Sequence, residues 1–312
     1  MILDSLFFAV DVTLPISLII VLGVILKRLR WINDEFAEVG SRLVFNVTLP
    51  ALLFVNIATT DLTSHFPFLL VVVAGAIMLG SFVVMHGVAL TIPSQFSRGA
   101  FVQGACRSNM AIIGLALSAN AFGEQVLPLA SMYLAALVIP VNILSILTLY
   151  YHQSDVPSTK KIAMSVVKNP LAIAIFIAIV IALFAIELPK FVIDTGNYVA
   201  RMTLPLALLC VGASIRWHEF RASGLLYVAI TSKIVLLPLL ASIIAYYCGL
   251  RGEELGVLYV MTAAPTAAAA YPMVRAIGGD YHLTAAIIAG STLFSMFTST
   301  IGLFALHYLG WV

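Results

Sequence analysis

Two short stretches of this 312-residue chain place polar groups where an uninterrupted apolar helix is otherwise expected. The first is Arg107-Ser108-Asn109, three consecutive polar residues within an apolar run. The second contains Pro265 and Thr266, and a proline removes a backbone donor and clashes with the preceding helical turn. A broken helix leaves carbonyl and amide groups free, and a bound solute can become their partner. Both stretches are therefore candidate binding sites, with a simple proline kink as the alternative for the second.

The charged side chains inside apolar runs are basic. Arg107 and Lys233 lie within such runs, whereas all 14 acidic residues fall in connections or near the ends of the runs. A charge at the centre of a bilayer costs roughly 2.5–3.5 kcal/mol on insertion scales, so it usually has a function. Basic groups without buried carboxylates favour an anionic ligand. The alternatives are that the Lys233 side chain extends to the aqueous interface and that Arg107 lies at a cytoplasmic vestibule.

Uncharged polar residues inside the runs are also costly to bury without a partner. Asn46, Asn56 and Asn142 are of this kind, and each could contact a solute or form a hydrogen bond between helices. The spacing of the cysteines predicts no metal site, redox pair or cofactor. Asp280 and Ser291 superficially suggest an intramembrane hydrolase, but no second carboxylate or Ser/His pair accompanies them. We therefore predict that the protein is not an enzyme.

The composition predicts that these residues belong to membrane-spanning helices. Hydrophobic residues make up 62% of the chain and charged residues 10%, whereas a soluble domain carries about 25% charged residues. Too few charges remain to cover a water-facing surface. Apolar runs of roughly 18 or more residues recur along the chain, and each can cross a bilayer core of about 30 Å. The net charge of +2 predicts no nucleic-acid partner.

We place ten spans in the cell membrane and derive their orientation from the basic residues between them. The spans cover about 5–26, 38–59, 67–92, 98–119, 126–151, 168–186, 195–215, 223–248, 253–274 and 283–306. The connections after odd-numbered spans carry Lys27, Arg28, Arg30, Arg42, Arg98, Lys160, Lys161, Lys168, Arg216, Arg221 and Arg275. The opposite side carries Lys190 and Arg251. The positive-inside bias therefore places both termini outside the cytoplasm.

The two halves of the chain resemble each other. The motif Thr-Leu-Pro occurs at residues 48–50 and again at 203–205, an offset of about half the chain, and a nearly equal offset places Asn109 opposite Pro265. Each half contains five predicted spans, an odd number, so the second half must enter the membrane with the opposite orientation. Spans four and nine contain the two polar breaks. Inverted repeats with broken helices at the midplane are the architecture of many secondary transporters.

The predicted fold is thus an all-α integral membrane protein, built from ten transmembrane helices as a 5+5 inverted repeat in which broken helices four and nine cross. Residues 1–151 form the first five-helix repeat, 152–167 a cytoplasmic linker, and 168–312 the second repeat. The linker is too short to hold a soluble domain.

Three stretches resemble the auxin efflux carrier family, which includes plant auxin exporters and bacterial malate or malonate permeases. They are residues 43–54, 204–214 and 264–267, and Lys233 with Pro238 also looks like the eighth span of the family. The resemblance covers essentially the whole chain and implies a fold like that of NhaA-type antiporters and bile-acid transporters. The long hydrophilic central loop of the plant exporters is absent here, so their phosphorylation control is not carried over.

The resemblance also implies how the parts work. Spans one, two, six and seven would form a scaffold that dimerises, and spans three to five and eight to ten would form a moving transport domain with an elevator-like motion. The crossover asparagine of the family falls on Asn109 and its crossover proline on Pro265. Span four has no proline at its centre, which leaves open how sharply it is broken.

The function we expect is a secondary active or uniport carrier for small organic anions, such as auxin-like or malate- and malonate-like carboxylates. The alternatives are a sodium-coupled symporter of the bile-acid-transporter type and, more distantly, the intramembrane hydrolase. The expected partners are the anion, the lipid bilayer and a second copy of the chain. The candidate substrate-binding residues are Asn109, Ser108, Arg107, Pro265, Thr266, Lys233, Asn142 and Asn46, with Arg107 and Lys233 supplying positive potential.

Overall fold

A computed structural model describes residues 2–60, 66–153, 169–215 and 223–312. Within these ranges the protein is helical, apart from turns and an isolated antiparallel β-bridge. The helices are α1 Ile2–Arg28, α2 Asp34–Ala58, α3 Phe68–Leu90, α4 Gln95–Cys106, α5 Met110–Phe122, α6 Leu127–Gln153, α7 Pro170–Leu183, α8 Lys190–Arg201, α9 Thr203–Ser214, α10 Gly224–Tyr247, α11 Gly252–Ala263, α12 Ala270–Ile277 and α13 Tyr281–Tyr308.

Helix length divides these elements into two kinds. Among the described residues, six helices are long and apolar enough to cross a membrane: α1, α2, α3, α6, α10 and α13. The others are too short to cross alone, because a spanning helix needs about 20 residues. The described part of the protein is therefore helical, with several apolar helices of membrane-spanning length, as in an integral membrane protein. The predicted count of ten spans remains a prediction.

Two pairs of short helices contain the predicted breaks. The helix α11 ends at Ala263, and Ala264 is extended with ψ 138° because Pro265 disfavours the helical conformation of the residue before it. The helix α4 ends at Cys106 without a proline, and Arg107 is extended with φ −81° and ψ 101°. Serine and asparagine follow it, and both favour hydrogen bonds that compete with helix continuation. Both predicted helix breaks are therefore present, and the break after Cys106 forms without a proline.

Close helix contacts hold the broken pairs together. A Cβ atom at Gly114 would lie 2.6 Å from the Sδ atom of Met261, so α5 and α11 approach each other at this glycine. A Cβ atom at Gly104 would lie 2.6 Å from the Cδ1 atom of Ile287, which shows the same close approach of α4 to α13. Each glycine thus lets a half-helix pack against an element of the other half of the chain.

The structure differs from the predicted bounds of span seven and of the linker. The apolar run predicted as span seven is interrupted at Met202, between α8 and α9, and Pro205 stands in the first turn of α9, where its missing N–H costs no helical bond. In the predicted linker, His152 and Gln153 are still the last residues of α6. The rest of the linker lies outside the described residues, as do the basic residues Lys160, Lys161, Lys168, Arg216 and Arg221.

Candidate functional site

The two breaks pair with each other through their backbones. The amide of Asn109 donates to the carbonyl of Pro265 at 2.7 Å, and the amide of Ala267 donates to the carbonyl of Arg107 at 3.0 Å. These bonds form the antiparallel bridge between the two polar stretches. Backbone groups that lose their helical hydrogen-bond partners at one break thus find new partners in the other break. Buried backbone groups require such partners.

Two hydroxyl groups reinforce the bridge in a reciprocal pattern. Ser108 and Thr266 face each other across the bridge. The Thr266 hydroxyl donates to the carbonyl of Gly104 in the last turn of α4 at 2.6 Å, and the Ser108 hydroxyl donates to the carbonyl of Thr262 in the last turn of α11 at 3.4 Å. Each hydroxyl therefore partners the free carbonyl end of the opposite half-helix.

A cavity of about 240 Å³ lies beside this bridge. Its described lining contains one basic residue, several asparagines and an apolar wall, and no aspartate or glutamate. The lining residues are Phe45, Asn46, Arg107, Ser108, Asn109, Met110, Ala111, Leu134, Val138, Val141, Asn142, Asn169, Pro170, Leu171, Ala267 and Ala269.

Arg107 is the cation of this cavity. It is only 7% exposed, and its guanidinium donates to Oδ1 of Asn142 at 2.7 Å and to Sδ of Met273 at 2.6 Å. Both acceptors are neutral, and the thioether is a weak acceptor. No described carboxylate contacts the guanidinium, so its charge is held in the protein interior without an opposite charge.

The beginning of α5 adds further positive potential. Met110 and Ala111 line the cavity and are the first residues of this helix. The first amides of a helix have no intrahelical acceptor and form the positive end of the helix dipole. The carbonyl of Asn109 accepts from the amides of Ile113 and Gly114, both at 3.1 Å, which fixes the helix start beside Arg107.

The asparagines differ in what they offer to a solute. Asn142 holds Arg107 through its carbonyl oxygen, and this bond does not use its amide nitrogen. Asn46 donates to the carbonyl of Arg42 at 2.7 Å and keeps its own oxygen as an acceptor. Asn56 donates to the hydroxyl of Ser131 at 3.1 Å and so links α2 to α6. Of the two predicted roles for Asn56, this is the hydrogen bond between helices.

Lys233 is buried, contacts the end of α11 near the bridge, and does not line the cavity. It is 0% exposed, and its ammonium donates to the carbonyl of Thr262 at 2.5 Å. Pro265 and Thr266 likewise do not line the cavity, since their contacts form the bridge itself. The predicted residues therefore separate into a lining group and a supporting group, and Arg107, Ser108, Asn109, Asn142 and Asn46 belong to the first.

Asn169 also lines the cavity, although it is not among the predicted binding residues. Its side chain accepts from the amide of Leu171 at 3.0 Å and caps α7, with Pro170 at the first helical position. An Asn-Pro pair before an apolar run is a recognisable helix start. That signal gives the helix boundary but not the neighbouring cavity, which is formed by residues distant in sequence.

The residues that superficially suggest a hydrolase are engaged elsewhere. The carboxylate of Asp280 accepts from the amide of Leu283 at 2.9 Å and from the Ser97 hydroxyl at 2.7 Å. The Ser291 hydroxyl accepts from the amide of Thr266 at 3.1 Å and donates to the carbonyl of Ile288 at 3.2 Å. These contacts cap a helix and support the bridge, and they form no nucleophile–base pair.

Two opposed helix breaks beside a cavity in an integral membrane protein are typical of membrane transporters. The sequence profile of the family described as "Membrane transport protein" matches residues 8–303. The chain belongs to this family, which is the auxin efflux carrier family that its motifs resemble.

Relatives from bacteria and archaea support this assignment. The chain is 24% identical over 272 residues to the uncharacterized transporter YfdV of Escherichia coli, covering 84% of this chain and 85% of that protein. It is 21% identical over 311 residues to the uncharacterized transporter MJ1031 of Methanocaldococcus jannaschii, covering 97% and 98%. A third uncharacterized transporter, from Methanothermobacter thermautotrophicus, is 24% identical over 291 residues, covering 92% and 94%.

Proposed function

We propose that this transporter carries small organic anions and binds them in the cavity beside the crossover of the two breaks. The observation that carries the proposal is the combination of Arg107 and the amide end of α5 in one cavity whose described lining has no carboxylate. In carriers with broken helices, half-helix N-termini point at the anionic groups of the solute.

The charge of Arg107 favours a carboxylate over a neutral or cationic solute. A buried charge without an opposite charge is expensive, and a bound carboxylate would compensate it. Guanidinium groups bind carboxylates through two parallel hydrogen bonds, at roughly twice the strength of neutral pairs. The neutral contacts to Asn142 and Met273 would yield to such a partner.

The size of the cavity favours a small solute. Its volume of about 240 Å³ is smaller than the roughly 300–1,000 Å³ of pockets for drug-sized ligands. A malate-, malonate- or auxin-like carboxylate is compatible with this space, with the apolar wall of Val138 and Val141 beside its carbon skeleton.

We further propose the inverted repeat and elevator-type motion for this carrier. In both halves a long helix, a broken pair and a second long helix follow each other: α3, α4–α5 and α6, then α10, α11–α12 and α13. The reciprocal bonds of the bridge support the same relation. The packing of α1 against α9 and of α2 against α7 is compatible with a scaffold. We also propose that the carrier is a homodimer whose termini both lie outside the cytoplasm.

Transport by purified protein in liposomes tests the function. A panel of labelled mono- and dicarboxylates is offered, and the rates of wild type and Asn109→Ala are compared. The matched control is Asn120→Ala, because Asn120 lies outside the lining and donates to the carbonyl of Val12. We expect saturable uptake of at least one carboxylate, reduced about tenfold or more by Asn109→Ala and little by the control. Uptake of no carboxylate, or an unchanged rate in Asn109→Ala, would contradict the proposal.

A further inference from the structure

Lys233 occupies a position that the cavity does not explain. Its side chain extends from the π-helical turn Ser232–Leu236 of α10 and is completely buried. Its ammonium reaches α11, where it donates to the carbonyl of Thr262. A lysine that served to attract solute would line the cavity, and one that extended to water would be exposed.

The partner of Lys233 is the negative end of a broken helix. Thr262 stands in the last turn of α11, next to the break at Pro265. The last carbonyls of a helix have no intrahelical donor and carry the negative end of its dipole, so a cation is favourable there. At the equivalent end of α4, the carbonyl of Gly104 has the neutral hydroxyl of Thr266 as its partner. The carbonyl end of α11 thus has a basic side chain as an additional donor, whereas the described partner of the α4 end is a neutral hydroxyl.

The surroundings of Lys233 provide no carboxylate. Among the described residues, the buried polar and charged side chains include Arg107 and Lys233 but no aspartate or glutamate. In transporters with broken helices, freed carbonyls and half-helix C-terminal ends coordinate the coupling Na⁺ or H⁺. Here the ammonium of Lys233 already occupies such a carbonyl end.

We propose that Lys233 is a tethered cation that replaces a coupling sodium ion, so that transport needs no sodium. This inference rests on the proposed carrier function, and it gives a reason against the sodium-coupled alternative. Because the cation is covalently attached, it stabilises the broken end of α11 in every state of the cycle and is not released with the solute.

A small cavity next to this contact makes the inference testable. It measures about 30 Å³, enough to hold a water molecule, and its lining includes the hydroxyl-bearing residues Ser81, Ser108, Tyr133 and Thr262. Shortening Lys233 to alanine removes the ammonium and most of its stem from the same region. The enlarged space would present carbonyl and hydroxyl oxygens, which are suitable ligands for a hard cation.

The experiment compares wild type with Lys233→Ala and Lys233→Met in purified, full-length protein. Melting temperatures are measured in NaCl and in choline chloride at equal ionic strength, and liposome transport is measured in the same salts. Methionine fills the space of the lysine stem without its charge and leaves no room for a sodium ion. Lys233→Met is therefore the matched control for Lys233→Ala. The melting measurement needs no transported solute, and its outcome is therefore independent of the proposed function.

We expect wild type to show the same melting temperature and transport rate in both salts. Lys233→Ala should transport about tenfold more slowly in choline, as for the loss of a hydrogen bond to a charged group. Sodium should raise its melting temperature by about 2–4 °C and recover part of the rate, whereas Lys233→Met should gain neither. Dependence of wild type on sodium, or the absence of a sodium response in a folded Lys233→Ala, would overturn the inference. If Lys233→Ala does not fold, the wild-type comparison alone decides, because sodium dependence there contradicts a tethered cation.

Discussion

The break between α4 and α5 and the break between α11 and α12 face each other, but they contribute different groups to the cavity. The first supplies the guanidinium of Arg107 and the amide end of a helix. The second contributes the small residues Ala267 and Ala269 and no charged side chain. The backbone pairing therefore needs both breaks, whereas the charged side chain of the cavity comes from one of them.

The two breaks also differ in what causes them. Pro265 ends α11 through its own covalent structure. The break after Cys106 contains no proline and is held by hydrogen bonds to the second break, including the bond from the amide of Asn109. The second break is therefore locally encoded, and the first depends on its partner.

The largest effect is expected at the charged side chain of the first break. Arg107→Gln removes the cavity cation while keeping hydrogen-bond donors, and we expect the transport rate to fall by roughly 10–100-fold, as for a charge-assisted bond of about 1.5–3 kcal/mol. The control is Arg275→Gln, an exposed arginine on α12 after the second break. Equal losses in the two variants would show that the charge is not concentrated at the first break.

A second prediction tests whether the guanidinium is available to the solute. Asn142→Asp would place a carboxylate at the position that now accepts from Arg107 at 2.7 Å. The resulting ion pair would compete with the solute, and we expect KM for the transported anion to rise about tenfold, with a smaller change in maximal rate. The control Asn120→Asp lies outside the cavity lining. An unchanged KM would mean that Arg107 does not bind the anion.

The smallest effect concerns the two hydroxyls of the bridge. Thr266→Val removes a bond of 2.6 Å to a carbonyl oxygen, and we expect a loss of about 1 kcal/mol in the free energy of unfolding. Ser108→Ala removes a bond of 3.4 Å, which is long, and we expect a loss below about 0.5 kcal/mol. Denaturant unfolding in detergent measures both. A larger loss in Ser108→Ala would reverse the inferred roles of the two contacts.

The fold follows from the sequence where composition decides it. Apolar run length predicted membrane helices, and the polar residues after Cys106 predicted the break in span four. The interruption at Met202 was not predicted, because a single disturbed turn inside an apolar stretch does not change hydropathy. Whether a short helix is continuous depends on the packing around it, which composition does not contain.

The site was predictable in part, and the limit has a geometric reason. Polar residues inside spans identified Arg107, Asn109 and Asn142, which line the cavity. The same reasoning identified Lys233 without indicating that it contacts the end of α11 and lies outside the cavity lining. Residue type shows that a buried polar group needs a partner. Where that partner lies depends on how two helices that are distant in sequence pack together.

The bridge between Ser108 and Thr266 has a consequence for how the protein is made. The two residues belong to different halves, and the second is translated long after the first. Until then, the amide of Asn109 and the carbonyl of Arg107 have no partner, a costly condition in lipid. A nascent chain that has inserted only its first half therefore exposes unpaired backbone groups that quality control can recognise. Its release from the insertion machinery should follow the arrival of the second half.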